Sequence, residues 1–421
     1  MTKFARKFSA QAFCAIGRSL TLALCVTFFG ASTVLAQTRA YVANIIDNTV
    51  SVIDSATNTV IATVPVGQSP ITVAVTPDGA FAYVANQESH TVSVIDAATN
   101  TVIATVFVGT TPWAIAMAPS GAFVYVANQN SNTVSVIDTA TNTVTATIPV
   151  GSQPIGVAVT PNGAFIYVGN SGAGTVSVID AATNTVTATI TGLSSPANVA
   201  ITPDGAFAYV TDRGNDTVSV INTATNTVTA TIPVGVSPTF LDITPDGAFV
   251  YVSNFFSGSV SVIDTATNTV IALVPGPDLP TGVAVNPDGT FVYVGSINAH
   301  TVFLIDTATN TITGSIPVGN GPTGITFTKK TPAVDPIDSL IAQVQALIAG
   351  GSLTQSQGDA LIAKLHEIRT KIDTGQTNAA CNQLSSFINQ VQGFINNGSL
   401  TASQGQALID AANAIKSSLG C

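Results

Sequence analysis

A strict 42-residue period, four short β-branched runs within each period, and a change to helical spacing after residue 330 predict an all-β seven-bladed β-propeller followed by a small α-helical bundle. Tyr41, Tyr83, Tyr125, Tyr167, Tyr209, Tyr251 and Tyr293 carry the period and are all the tyrosines of the 421-residue chain. Pro70 to Pro322 and Asn58 to Asn310 recur at the same spacing, and seven units follow without an insertion or deletion. Only 8% of the residues are charged, against roughly 25% in an ordinary soluble protein. Abundant Val and Thr with so little charge predict sheets buried on both faces rather than a disordered chain. A net charge of −10 with no basic stripe argues against a nucleic-acid partner.

Residues 1–36 read as an export signal. Lys3, Arg6, Lys7 and Arg18 form a basic region, Leu20–Gly30 an apolar one, and Val34 and Ala36 are the small pair before a cut at Gln37. The alternative is an uncleaved N-terminal anchor. With cleavage, the only membrane association is through the removed segment, and Cys381 and Cys421 are the only cysteines left. The expected location is therefore secreted, periplasmic or cell-surface.

Residues 37–330 hold the propeller. In the second unit the expected strands are Ile71–Thr76, Ala80–Asn86, Thr91–Ile95 and Thr101–Val108. The TVSVID run alternates as a strand should, T-P-D-G supplies a turn, and D-x-A-T-N-T closes a hairpin with Asp and Asn side chains. The first unit lacks its innermost strand and the last is followed by an extra one, Thr323–Thr328, so the two ends should share a blade and close the ring. The tetrapeptides YVAN and YVTD, with VIDTATNTV and TPDGAF, closely resemble the YVTN family of β-propeller repeats found in surface-layer and other extracellular proteins. The resemblance covers residues 38–330 and implies the fold and an extracellular setting, but no one activity.

Residues 331–335 read as a linker and 336–421 as four helices, near 336–349, 354–373, 377–396 and 401–419. Asp335 and Pro336 suit the start of the first, and T-x-x-Q boxes at Thr354/Gln357 and Thr401/Gln404 suit the second and fourth. GSLTQSQGDALI returns 47 residues later as GSLTASQGQALI, a second duplication that suggests two packed hairpins. Cys381 and Cys421 fall at neighbouring ends of an antiparallel pair, so a disulfide is expected. Leu384–Ile415 resembles the FIMAH module of secreted bacterial proteins, whose ligand the resemblance does not imply.

Ten of the sixteen carboxylates between 37 and 330 belong to repeated turns, which makes them structural. Comparison of the seven units shows one set of turns nearly uniform, while the second-to-third-strand loops and the blade-to-blade loops diverge. These diverging loops share one face, and a specific partner should bind there. The candidate binding residues are Glu88, His90, Trp113, Arg213, Asp216, Phe240, Asp242, Phe255, Phe256 and His300. Aromatic side chains with one arginine suit an anchor for a protein or a glycan. The alternative for Trp113, Phe240 and one of the two phenylalanines is that they plug gaps at the channel mouth.

No HExxH, GxSxG or phosphate-cradling glycine loop occurs, and no metal, cofactor or catalytic residue is expected. The expected function is an exported, non-catalytic binding or scaffold surface for an extracellular or periplasmic protein or polysaccharide. A lactonase-like hydrolase is one alternative, and would need Glu88, His90, Asp242 and His300 to converge. A purely structural, surface-layer-like subunit is the other.

Overall fold

The computed structural model describes residues 38–328, 336–374 and 376–421. The export signal at 1–36, the linker at 331–335 and the expected cap Asp335 lie outside these residues. Among those described, 28 strands form seven four-stranded antiparallel sheets. Blade 1 combines Arg39–Asn44, Thr49–Asp54 and Thr59–Pro65 with an inner strand from the other end of the propeller, Pro322–Phe327. Ala40, Tyr41 and Val42 stand opposite Phe327, Thr326 and Ile325 in that closure. Blade 2 is Pro70–Val75, Phe81–Asn86, Thr91–Asp96 and Thr101–Phe107, within a residue or two of the expected bounds. The inner strands of blades 3 to 7 are Pro112–Met117, Pro154–Val159, Pro196–Ile201, Pro238–Ile243 and Pro280–Val285.

Successive blades pack face to face because alternate side chains point to opposite sides of each sheet. Tyr41, Ala43, Val50, Val52 and Val64 of blade 1 meet Val73, Val75, Ala82, Val84 and Ile95 of blade 2. The seventh seam joins Tyr293, Val302 and Ile316 to Ala40, Val42 and Ile53, so the ring has no uncovered face. The buried tyrosines also latch the seams. The hydroxyls of Tyr83, Tyr167, Tyr209 and Tyr251 donate to Oδ1 of Asn142, Asn226, Asn268 and Asn310 at 2.7–2.8 Å, and Tyr293 donates to Asn58. Each of these asparagines is the left-handed corner of a turn in the following blade, with φ between 52° and 54°. The shared 42-residue period of Tyr and Asn is therefore one interaction made at five of the seven seams; Tyr41 with Asn100, and Tyr125 with Asn184, do not make it.

The Asn of YVAN is buried too. Asn86 Nδ2 donates to Thr91 Oγ1 and Ser93 Oγ at 3.2 and 2.9 Å, and its side chain lies flat on Gly67, where a Cβ would sit 2.7 Å from it. In blade 5 the pair changes together: Leu193 stands in the glycine position, and Asp212 accepts the N–H groups of Ser194 and Ser195 at 2.9 and 2.7 Å. The outer strands, which are sheet edges, carry a bulge at one repeated position; in blade 1, Val52 faces Ala62 while Ile53 faces Val60. Such a kink blunts an edge against pairing with another chain.

The C-terminal helices are α1 (Pro336–Ala349), α2 (Gln355–Asp373), α3 (Thr377–Asn396) and α4 (Ala402–Ser418). Both capping boxes form, at Thr354/Gln357 and Thr401/Gln404. The two cap glutamines also cross the module: Gln357 donates to Ser399 Oγ and Gln404 to Ser352 Oγ, which ties the duplicated GSLT segments to one another. Leu340, Val344, Leu361, Leu365, Leu384, Phe387, Val391 and Leu408 form the core. Cys381 and Cys421 are joined by a disulfide with Cα atoms 6.0 Å apart. Among the described residues no helix is long and apolar enough to cross a membrane.

Candidate functional site

The propeller presents two unlike ends. At one, the T-P-D-G and D-x-A-T-N-T turns repeat. Asp96 Oδ1 accepts the N–H groups of Ala98 and Thr99, and Asp78 Oδ1 accepts Ala80 N–H and the Thr76 hydroxyl. These hydrogen bonds hold both carboxyls below the usual carboxylate range, because they favour the charged form. At the other end lie the diverging loops, with Glu88, His90, Arg213, Asp216, Phe255, Phe256 and His300.

Three of those candidates share a structural task. His90, Asp216 and His300 occupy one repeat position and are all left-handed, with φ of 56°, 54° and 53°. Each accepts the backbone N–H of the residue 21 positions later: Thr111 at 3.1 Å, Ser237 at 2.8 Å and Gly321 at 3.2 Å. Asn48 and Asn132 do the same for Ser69 and Gln153. The spacing of the two histidines therefore reflects a corner of the repeat that needs an acceptor and tolerates positive φ. Glu88 is exposed beside His90 in the same loop.

Trp113 and Phe240 are half-buried near the start of their inner strands and pack against the seams of blades 3/4 and 6/7. Arg213 is half-buried as well, and burial lowers its pKa below the ordinary arginine value. One outward apolar group at this end lies elsewhere, apart from the exposed Ile46 on the loop of blade 1. Phe256 is 68% exposed and stacks edge-on against Phe255, with centroids 5.1 Å apart, and Val236 in the adjoining loop is 49% exposed. Phe256 N–H donates to Val236 O, Phe255 N–H to Ser237 O, and Ser237 N–H to Asp216, so the loops bearing Arg213 and the phenylalanines share one scaffold. Val236 is a residue that sequence reasoning missed. Its equivalents are Gln68, Thr110, Ser152, Ser194, Asp278 and Asn320, all polar, and that column would have revealed it.

Asp242 departs from its expected place. It is the fifth residue of its inner strand, paired with Tyr251, and it sits toward the uniform-turn end, away from the diverging loops. Strand geometry puts it about 13 Å from Pro238. It therefore does not converge with Glu88, His90 and His300, and these three are themselves divided between blades 2 and 7. No group of three or more His, Cys, Asp or Glu able to hold a metal occurs among the described residues. Asp242 Oδ1 accepts Ile243 N–H at 2.9 Å, and Oδ2 accepts Val285 N–H of the next blade at 2.8 Å. Burial nevertheless pushes its carboxyl up to about 6, outweighing both hydrogen bonds. It borders a cavity of about 420 Å³ whose other walls include Ile243, Pro245, Val285, Pro287 and Phe327.

A YNCE-like β-propeller family model matches residues 4–129 and 107–214, which together span half of the chain. A model described as Lactonase, 7-bladed beta-propeller matches 180–270, and a FIMAH domain model matches 337–417. The YVTN resemblance of the repeats is consistent with these matches. No curated protein matches the chain. Among solved structures, Kuenenia stuttgartiensis hydrazine synthase is similar at 27% identity and TM-score 0.57, over 62% of this chain and 90% of that one. A protein of unknown function from Desulfotomaculum acetoxidans aligns at 18% identity and TM-score 0.62, over 69% and 99%. Dihydro-heme d1 dehydrogenase NirN aligns at 16% identity and TM-score 0.54, over 68% and 74%; these last two show the fold alone. The chain belongs to the YNCE-like β-propeller family and carries a FIMAH domain at its C-terminal end.

Proposed function

We propose that this protein is an exported, non-catalytic binding surface whose diverging-loop face holds an extracellular or envelope partner, a protein or a polysaccharide. The observation that carries the reading is the outward apolar group Phe255, Phe256 and Val236, with Arg213 on the neighbouring loop. Aromatic side chains and arginine dominate binding energy where they are desolvated by a partner. The disulfide and the apolar N-terminal segment support export. The test is binding of the purified protein to fractionated envelope polysaccharide and to surface protein, comparing wild type with Phe256→Ala/Val236→Ser and with Ile271→Ser on an outer strand. Loss in the first variant alone supports the reading, and equal binding by all three overturns it.

A second reading, lactone hydrolysis, is favoured by the Lactonase match over 180–270. Turnover of a lactone panel above the buffer rate would support it, and rates equal to buffer would remove it.

A further inference from the structure

The seven inner strands read PITVAV, PWAIAM, PIGVAV, PANVAI, PTFLDI, PTGVAV and PTGITF. Asp242 is the one titratable side chain among them. Its equivalents are Ala74, Ala116, Ala158, Ala200, Ala284 and Thr326, so the repeat itself does not ask for a carboxylate here. We propose that the cavity it borders is a binding site for a small organic cation, an ammonium or amidinium on an apolar body, with Asp242 as the counter-charge.

Geometry, acceptor count and field support the assignment. A cavity of about 420 Å³ lies within the usual range for small-molecule sites, roughly 300–1,000 Å³, and apart from Asp242 and Thr326 its walls are aliphatic, proline and Phe327. An ionised carboxylate has about four acceptor sites. Ile243 and Val285 each fill one on a different oxygen, so the carboxylate is oriented and still able to receive a ligand's N–H groups. Among the described residues no Arg or Lys pairs with this charge: Arg39 and Arg213 are the only ones of the propeller there. Arg213 lies at the opposite end, and Arg39 Nη1 donates to Ala97 O in blade 2. At the cavity mouth, Pro245 and Pro287 are followed by the exposed carboxylates Asp246 and Asp288. Apolar walls with charges of one sign focus the field and raise the local concentration of a cation. Tyr251, directly across from Asp242, is kept neutral by burial, which pushes its hydroxyl up to about 12.

The ligand chemistry is tested by calorimetry on the purified full chain at pH 8 with benzylamine and its neutral counterpart benzyl alcohol. Benzylamine should bind saturably, at least tenfold more tightly than the alcohol. Asp242→Asn should weaken the amine tenfold to a hundredfold, the range for a hydrogen bond to a charged group. Thr326→Phe, which fills the cavity from the facing wall and leaves the carboxylate in place, should weaken both ligands. Amine affinity should fall as the pH drops through about 6, where the carboxyl takes up its proton. Equal affinity for amine and alcohol, undiminished binding by Asp242→Asn, or no heat from wild type with millimolar amine would each overturn the assignment. If Asp242→Asn does not fold, the amine-to-alcohol ratio and Thr326→Phe decide.

Discussion

Replacing Tyr251 with Phe removes one oxygen from the seam between blades 6 and 7 and leaves the fully buried ring in place. The lost contact is the 2.8 Å hydrogen bond to Oδ1 of Asn310, half-buried at the turn of the next blade. A neutral hydrogen bond contributes about 0.5–1.5 kcal/mol net, and an acceptor stranded away from water costs about 1–3 kcal/mol. Water can reach Asn310 in part, so the total should be about 1–2 kcal/mol. For a domain of this size that lowers the melting temperature by about 2–4 °C. Differential scanning calorimetry of Tyr251→Phe, Asn310→Gly and the double variant isolates the pair. Gly tolerates the 52° φ of Asn310, so the second change removes the acceptor without forcing the turn. The coupling energy should be about 1 kcal/mol. If Tyr251→Phe costs as much with Gly at 310 as with Asn, the latch contributes nothing and the reasoning about the shared period fails.

Asp242 should make stability depend on pH in an unusual direction. Its folded pKa of about 6 lies above the unfolded value near 3.9, so folding binds a proton at this site, and the stability that Asp242 contributes should be lost as pH rises from about 4 to 6. The loss is at most about 3 kcal/mol. Denaturant melts across that window should show wild type losing stability relative to Asp242→Asn, because the turn carboxylates, whose lowered pKa values act in the opposite direction, are common to both. Cys421→Ser opens a disulfide of sequence separation 40, and should destabilise the helical module by about 4 kcal/mol in the chain-entropy model. Calorimetry should then show the propeller transition unmoved. Gly109→Ala would put a Cβ 2.6 Å from Asn128, and should cost about 1–3 kcal/mol in a chemical melt. His90→Asn supplies the acceptor that Asn48 already provides at the same corner, so its melting point should match wild type within about 1 °C.

The repeat made the architecture legible because each strand alternates, each turn carries its own chemistry, and seven copies average out local ambiguity. Closure was legible in the missing inner strand of the first unit, and the helix starts in two T-x-x-Q boxes. Partners that are not neighbours in sequence were much harder to see. Tyr251 and Asn310 are 59 residues apart, and Asn86 meets Gly67 across a loop; both pairs show the right period without revealing that they touch. The candidate site was harder still. His90 and His300 departed from the common residue at their position, but they perform the same backbone capping as the asparagines they replace. Asp242 stands where the other repeats carry Ala or Thr, but its end of the channel follows from its place along the strand rather than from its identity. Val236 looked ordinary as a residue type and was informative only against its six polar equivalents.

The shared first blade ties the geometry of the ring to the order in which the ribosome delivers it. Arg39–Asn44 emerges early, yet its inner neighbour, Pro322–Phe327, is made almost three hundred residues later. Until then the earliest blade has an open edge, and six complete blades can stack only as an arc. A nascent chain halted before Phe327 should thus remain unlocked and open to proteases, while one cut just before Pro336 has everything the circle needs. The last few residues of the repeat array act as a completion signal, converting a growing arc into a ring that neither terminus can leave alone.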